Sequence, residues 1–441
     1  MGDMKSRGHI MKIKVGKEKV IVRGIRPEEN IWGPYQFPRV YDCDGGIIVS
    51  IHIDNDDIKK YGADCRWFKS VDKGETWCEI TEQQALNRGL LLPNGDRLSF
   101  PPQSSTELKD YKIIPQEFYT PDYDFSVRAE EGILPIPDGY TVWKRGFTIF
   151  AYDADRLPES ISKKEWKAIR IKNGSNEPVE EKTPLEWDKL THVVYLDTDG
   201  KLYLKNLFPR GNLKIGPDGA LWITAFSGEG HINPDNNQYS PYYSAELFRS
   251  DDNGHSFKQW AHMEYPADGN EYPYQSGGFS DSDVEFMPDG TMVWFMRSAW
   301  AVTTGREWDP MFFSKSTDNG KTWTKPEKFA PIGVLPRLTR LECGAVLLSY
   351  ARPGMFITGS CDGVKWETPI EVMTPDDRSG LHNVQVEKPT FWEWAGACNN
   401  PELVAVDYNK ALLIYGDSYY PDETGVKRKT ILCREIVIEM D

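Results

Sequence analysis

Arginine and carboxylate side chains stand at fixed offsets from glycine turns in this chain, and their types and spacing could do chemistry. Asp281 lies eight residues before Asp289 of the turn Pro288-Asp289-Gly290, and Arg297 lies eight after it. Arg352, in Tyr350-Ala351-Arg352-Pro353-Gly354, lies eight residues before Ser360. Two guanidinium groups facing one space can hold a carboxylate or sulfate through paired, charge-assisted hydrogen bonds. Asp281, Asp57 and its neighbour Asp56 carry carboxyl groups of the kind that general acid–base catalysis uses. His231 closes the glycine-rich run Ser227-Gly228-Glu229-Gly230-His231 and is the histidine to test first beside them. Each group also has an ordinary use: the arginines in salt bridges between sheets, Asp56 and Asp57 in a turn, His231 in hydrogen-bonded packing.

Short strands and tight turns must position these groups. The phrase Ser-x-Asp-x-Gly-x-Thr/Ser-Trp/Phe occurs three times, as Ser70–Trp77, Ser250–Phe257 and Ser316–Trp323, and a shortened copy runs Ser360–Trp366. Its Asp can accept backbone N–H bonds inside the turn, and its Gly supplies a positive φ. Its closing aromatic offers an apolar face to a neighbouring sheet. A second signal, a glycine turn leading into an apolar strand, begins at Asp44, Asn94, Asp218 and Asp289, with weaker versions at Cys343 and Asn409. Six starts predict an all-β repeat protein of six small antiparallel sheets, or blades, in which residues 1–441 form one domain. The interval from Asn94 to Asp218 is about twice the others, so the second blade is expected to carry an insertion over about 101–195. Within it, Lys163–Arg170 reads as a short helix. Lys12–Val15 and Lys19–Val22 near the start, with Thr430–Cys433 and Ile436–Ile438 near the end, are expected to pair and close the ring.

The repeated phrase resembles the Asp-box of the sialidase (neuraminidase) superfamily, whose members are six-bladed β-propellers with the box on the rim away from the active site. The resemblance makes the six predicted sheets the blades of one all-β six-bladed propeller. It implies a central cavity in which Asp281 replaces a family Glu, Arg297 and Arg352 grip the substrate, and Asp57 or Asp56 is the catalytic acid. Two positions depart from the pattern. Gln36 stands where the first arginine of the carboxylate-binding triad belongs, and Arg39, three residues on, faces the other way on a regular strand. Asn400 stands where the nucleophilic Tyr belongs, which removes the covalent route. Arg297, Arg352, Gln36, Arg39, Asn400 and His231 are thus the expected substrate-binding residues. The implied function is a glycoside hydrolase acting on an acidic or decorated sugar with inversion, Asp281 activating water and Asp57 donating the proton. The alternatives are an exo-α-sialidase using a Tyr from another loop, such as Tyr274 or Tyr350, and a non-catalytic carbohydrate-binding propeller.

Composition narrows the partners. The net charge is −15 with no compensating basic stretch, which argues against nucleic acid and against an anionic membrane surface. No apolar run is long enough for a transmembrane helix. The first ten residues lack the apolar core of a signal peptide, and seven scattered cysteines read as reduced thiols, so a cytoplasmic setting is expected. No cofactor and no metal are expected, and the partner is a carbohydrate substrate.

Overall fold

Antiparallel strands make up nearly all of the regular structure, and the only α-helix among the described residues is the single turn Glu82–Ala85. The computed structural model describes residues 11–24, 34–53, 64–101, 104–113, 132–143, 147–227, 230–266, 277–299, 310–331, 333–351, 354–373 and 400–440. The first sheet runs Pro38–Cys43, Gly46–His52, Cys65–Ser70, Cys78–Ile80 from inner to outer strand. Two later sheets repeat this plan: Gly278–Phe286, Met292–Ala299, Met311–Ser316, Glu327–Ala330, and then Val334–Arg340, Val346–Ala351, Met355–Ser360, Ile370–Met373. An eight-stranded sheet is two such runs joined edge to edge. One run is Leu90–Leu91, Arg97–Ser99, Glu165–Ile171, Pro178–Glu186, and the other is Lys214–Ile215, Leu221–Phe226, Ala245–Ser250, Phe257–Met263. Their outer strands pair in parallel through Leu185 with Phe257 and Glu186 with Lys258.

The last sheet joins the two ends of the chain. Glu402–Asp407, Lys410–Pro421 and Lys427–Met440 are followed by Met11–Val15, and Lys19–Arg23 pairs with the same C-terminal strand. The expected pairing of the ends is found.

Apolar alternation along these strands builds a core between successive sheets. Leu98 and Trp166 pack with Leu221 and Phe248. Trp222 packs with Phe286 and Trp294, Phe295 with Leu338 and Leu348, and Leu347 with Leu413 and Leu432. Leu412 and Ile414 of the last sheet then pack with Val49 and Ile51 of the first. The cycle of contacts therefore returns to its start. The first sheet meets the second through the bridge between Cys43 and Arg88.

Three turns carry one hydrogen-bond pattern. In the first, Ser70 Oγ donates to Asp72 Oδ1 at 2.8 Å and accepts from Gly74 N at 2.8 Å. Asp72 accepts from Thr76 N at 2.9 Å and from Thr76 Oγ1 at 2.6 Å. The same bonds recur around Asp252 and Asp318. Gly74 has φ +85° and Gly254 φ +80°, and a Cβ there would meet Leu412 at 2.5 Å and Leu98 at 2.3 Å. Glycine is needed for conformation and for close approach to the adjoining sheet.

Two expectations are corrected. Segment 163–170 is not helical; Glu165–Ile171 is a strand in which Trp166, Ala168 and Arg170 are buried at every second position. Alternation outweighed the helix-forming Lys and Glu residues. The stretch 101–195 is not one excursion, because Glu165–Ile171 and Pro178–Glu186 within it belong to the sheet of Arg97–Ser99. Its flanks, together with Leu202–Leu204 just beyond it, form a separate sheet, Gly139–Trp143, Phe147–Asp153, Thr191–Leu196, Leu202–Leu204, Thr106–Glu107, with a core around Tyr152 and Val194. No helix among the described residues is long and apolar enough to cross a membrane.

Candidate functional site

The inner strands of the sheets converge on a cavity of about 370 Å³. Arg39, Leu90, Lys214, Glu285, Arg337 and Glu402, one from each inner strand, stand on its wall. Polar side chains on an innermost strand have nowhere else to go, because the opposite face is packed against the sheet core.

Two bulges aim the charged groups. In Gly278–Phe286 the register slips between Phe279 and Ser282, so Ser280 and Asp281 lie opposite Arg297. Arg297 Nη1 donates to Asp281 Oδ2 at 2.7 Å. In Val334–Arg340 the register slips between Val334 and Arg337, and Leu335 takes the left-handed conformation at φ +52°. Such strain in a non-glycine residue costs about 1–3 kcal/mol and is concentrated where a side chain must be re-aimed. The side chain re-aimed here is Arg337, whose Nε donates to Glu402 Oε1 at 3.0 Å and whose Nη2 donates to Arg210 O at 3.2 Å.

Beyond the bulge, Asp283 and Glu285 follow at alternate positions. Lys214 Nζ donates to Glu285 Oε2 at 3.1 Å and to Leu338 O at 2.5 Å, and lies 3.7 Å from Asp283 Oδ2. Asp283 Oδ2 also accepts from Leu338 N at 2.9 Å. Arg210 lies over the Phe208 ring at 4.3 Å and Arg39 over the same ring at 5.6 Å.

The electrostatics separate the two aspartates. Burial pushes Asp281 up, but Arg297, Arg210 and Arg337 outweigh it and hold the carboxyl below its ordinary value, ionised at neutral pH. Burial prevails at Asp283, whose carboxyl is raised despite Lys214 and Arg337. Burial likewise lowers the Lys214 ammonium, and Asp283 and Glu285 more than restore it.

Of the residues expected from sequence, the structure unites Asp281 and Arg297 in one ion pair, but neither is among the residues that line the cavity. The structure pairs them with each other rather than leaving Arg297 to a ligand alone, a consequence of the bulge. Arg39 lies on the cavity wall instead of facing away. Gln36 sits in a turn before the strand begins, so the alternation does not extend from one to the other. Gln36 and Asn400 are 1% and 4% exposed and are not on that wall. Asp56, Asp57 and Arg352 lie outside the described residues, as does Tyr274. Tyr350 belongs to the core with Leu338 and Leu348, stacked on Phe356 at 5.4 Å. Burial pushes its phenol up to about 12, opposite to what a nucleophilic phenolate needs.

His231 does not line the cavity. It is 2% exposed, and its Nε2 lies 2.6 Å from Glu264 Oε1, which is also 2.8 Å from His262 Nε2. Burial lowers His262, but Glu246 and Glu264 raise it to about 10. Burial raises Glu264, but His231 and His262 hold it down to about 2.

Sequence reasoning missed Arg210, Lys214, Asp283, Glu285, Arg337 and Glu402. The available signal was Asp281-x-Asp283-x-Glu285, acids at every second position of an apolar inner strand, where half-buried alternation leaves one polar face to explain.

No protein-family model and no curated protein matches the chain. Among solved structures it is similar to a protein of unknown function from Dyadobacter fermentans, 17% identical over 97% of this chain and 99% of that one, with a TM-score of 0.46. It is similar to an alpha-L-arabinanase of Penicillium chrysogenum, 11% identical over 96% and 98% of the two chains, TM-score 0.43. It is also similar to the NanB sialidase of Streptococcus pneumoniae, 13% identical over 95% of this chain and 70% of that one, TM-score 0.41.

Proposed function

We propose that residues 1–441 form one six-bladed, sialidase-like β-propeller that hydrolyses a glycoside of an acidic or decorated sugar in its central cavity. The observation that carries this reading is the ion pair of Arg297 with Asp281, 2.7 Å apart and held ionised also by the charges of Arg210 and Arg337, in a chain whose net charge is −15. Arg39, Arg210 and Arg337 on the cavity wall offer guanidinium groups that can grip an anionic ligand. Asp281 is assigned the activation of water: it stays ionised, so it can accept a proton, and Arg297 fixes its orientation. Asp57, or Asp56, is assigned the proton donor, and Arg352 a second grip on the substrate anion. With Asn400 in place of a phenol, water attacks directly and the anomer inverts. The setting is cytoplasmic, in keeping with the six free cysteines among the described residues.

A second reading, carbohydrate binding without turnover, is favoured by the pairing already present: Arg297 with Asp281 and Arg337 with Glu402. One experiment separates the two. Aryl-glycosides including sialosides and uronides are offered to the wild type and to Asp281→Ala, with calorimetry run in parallel. Hydrolysis of an acidic glycoside that falls about 10²–10⁴-fold in Asp281→Ala supports the enzyme. Binding heat without hydrolysis selects the second reading, and neither heat nor hydrolysis with any acidic sugar sinks both.

A further inference from the structure

His231, His262 and Glu264 bring three ligating atoms within 4.8 Å of one another, and none of the three lines the cavity. His262 lies on the outer strand Phe257–Met263 and Glu264 directly follows it, so residues two apart share a face. His231 comes from the short hairpin His231–Ile232 with Tyr239–Ser240.

The other nitrogen of each imidazole is already committed. His231 Nδ1 is 2.7 Å from the carbonyl oxygen of Tyr242, and His262 Nδ1 is 2.8 Å from Glu246 Oε1. Both partners accept, so each Nδ1 carries the hydrogen. In the neutral tautomer each Nε2 then presents a lone pair, and both Nε2 atoms face Glu264 Oε1. Three electron-rich atoms turned on one point need something positive between them. Protons can fill that place, and so can a cation.

The orienting groups are themselves fixed. Glu246 is the cross-strand neighbour of His262, and it accepts from Ser244 Oγ at 2.6 Å and from Gln259 Nε2 at 2.6 Å. A backbone carbonyl or carboxylate on the far nitrogen is how metal-bound histidines are held in tautomer and direction.

We propose that this cluster binds a divalent first-row transition metal, zinc above all, through Nε2 of His231, Nε2 of His262 and a carboxylate oxygen of Glu264. The fourth position opens to water on the side of Glu264, whose side chain is 31% exposed against 2% for His231. Bonds of about 2.0–2.2 Å in a tetrahedron place ligand atoms about 3.4 Å apart, so Glu264 withdraws by less than about 1 Å from its hydrogen-bonded position. Two imidazoles among three donors disfavour magnesium and calcium. A dication with two neutral imidazoles balances Glu264 and Glu246. The bound ion ties the 231–240 hairpin to the outer strand of its sheet. This assignment uses no group of the cavity and stands apart from the glycosidase reading.

The test uses the full chain stripped with a chelator and dialysed into metal-free buffer. Zinc is titrated against a chromophoric chelator, cobalt is added as a spectroscopic probe, and melting is followed with zinc or with magnesium. The expected result is one zinc per chain, visible absorption bands of four-coordinate cobalt, and a melting point raised by zinc and unmoved by magnesium. Glu264→Gln should remove the cobalt bands, and Glu246→Gln should weaken zinc about 10–100-fold, as loss of an orienting partner does. Both retain side-chain volume, and circular dichroism verifies their fold if His262→Ala does not survive. A wild type that neither competes for zinc nor melts higher with it overturns the site. So does zinc binding left unchanged by Glu264→Gln, which would mark adventitious surface binding.

Discussion

Arg337 and Glu402 face each other with side chains 5% and 4% exposed, on strands from different sheets. Burying two charges costs several kcal/mol of hydration, which their attraction and additional hydrogen bonds must offset. Arg337 also donates to Arg210 O and Glu402 accepts weakly from Asn212, at 3.2 and 3.4 Å. Removing one partner therefore leaves a buried charge without its counter-ion. Arg337→Leu is expected to destabilise by about 3–5 kcal/mol, and Arg337→Leu with Glu402→Leu to regain most of it, measured by urea midpoints. A double variant as unstable as the single one would show that geometry, not charge compensation, sets the cost. These residues were invisible to an argument from offsets. Asp281 and Arg297 were legible because their eight-residue offsets from one turn match the pattern of the family the chain resembles, whereas Arg337 reaches the cavity through a bulge that no local composition announces. His262-x-Glu264 was equally silent, since its third member lies in a hairpin remote in sequence.

Elements were read more easily than side-chain directions, because a tight turn demands its chemistry locally. Ser70, Asp72, Gly74 and Thr76 form one bonded unit whose partners are all within four residues, so the phrase is its own evidence of structure. Strand 165–171 was misread because alternation over seven residues competes with helix-forming Lys and Glu, and only burial on the sheet settles it. The turns also carry a pH signature. The Thr76 hydroxyl, with Thr76 N–H and the Ser70 hydroxyl, holds Asp72 down to about 2, and the equivalent bonds hold Asp318 there. A carboxyl whose folded value lies below its unfolded value, about 3.9, adds stability that is complete above about pH 4. That stability is lost as pH falls through about 2. Asp72→Asn should thus be less stable than the wild type at pH 5, and the gap should narrow between about pH 4 and 2. Denaturation midpoints across that range decide it; a gap constant with pH would mean the carboxylate charge contributes nothing.

At the scale of the whole molecule, the cycle of seams has one joint that the chain makes only with its two ends. Lys427–Met440 receives Met11–Val15 along one stretch, Met11 opposite Met440, and Lys19–Arg23 along another, Lys19 opposite Cys433. Ile21 and Val22 then join Val49, Ile51 and Leu412 in the core between the last sheet and the first. Met11 and Ile13 join Leu347 and Ile436 in the core on the other side. The N-terminal strands thus contribute to both seams flanking the last sheet. Each of these four buried side chains is worth about 1.5–3 kcal/mol of burial, together about 6–12 kcal/mol. The whole net stability of a folded domain is about 5–15 kcal/mol. Deleting residues 1–24 should therefore abolish cooperative folding near room temperature, while Ile13→Ala alone should cost about 2–5 kcal/mol and leave a folded protein. Near-ultraviolet circular dichroism and calorimetry distinguish the cases. A truncated chain that melts with the wild-type enthalpy and midpoint would show that the ring stands closed without its N-terminal strands. The uncovered edge of Lys427–Met440 would then be tolerated, although it offers a long unpaired row of backbone donors and acceptors that proteins ordinarily cover.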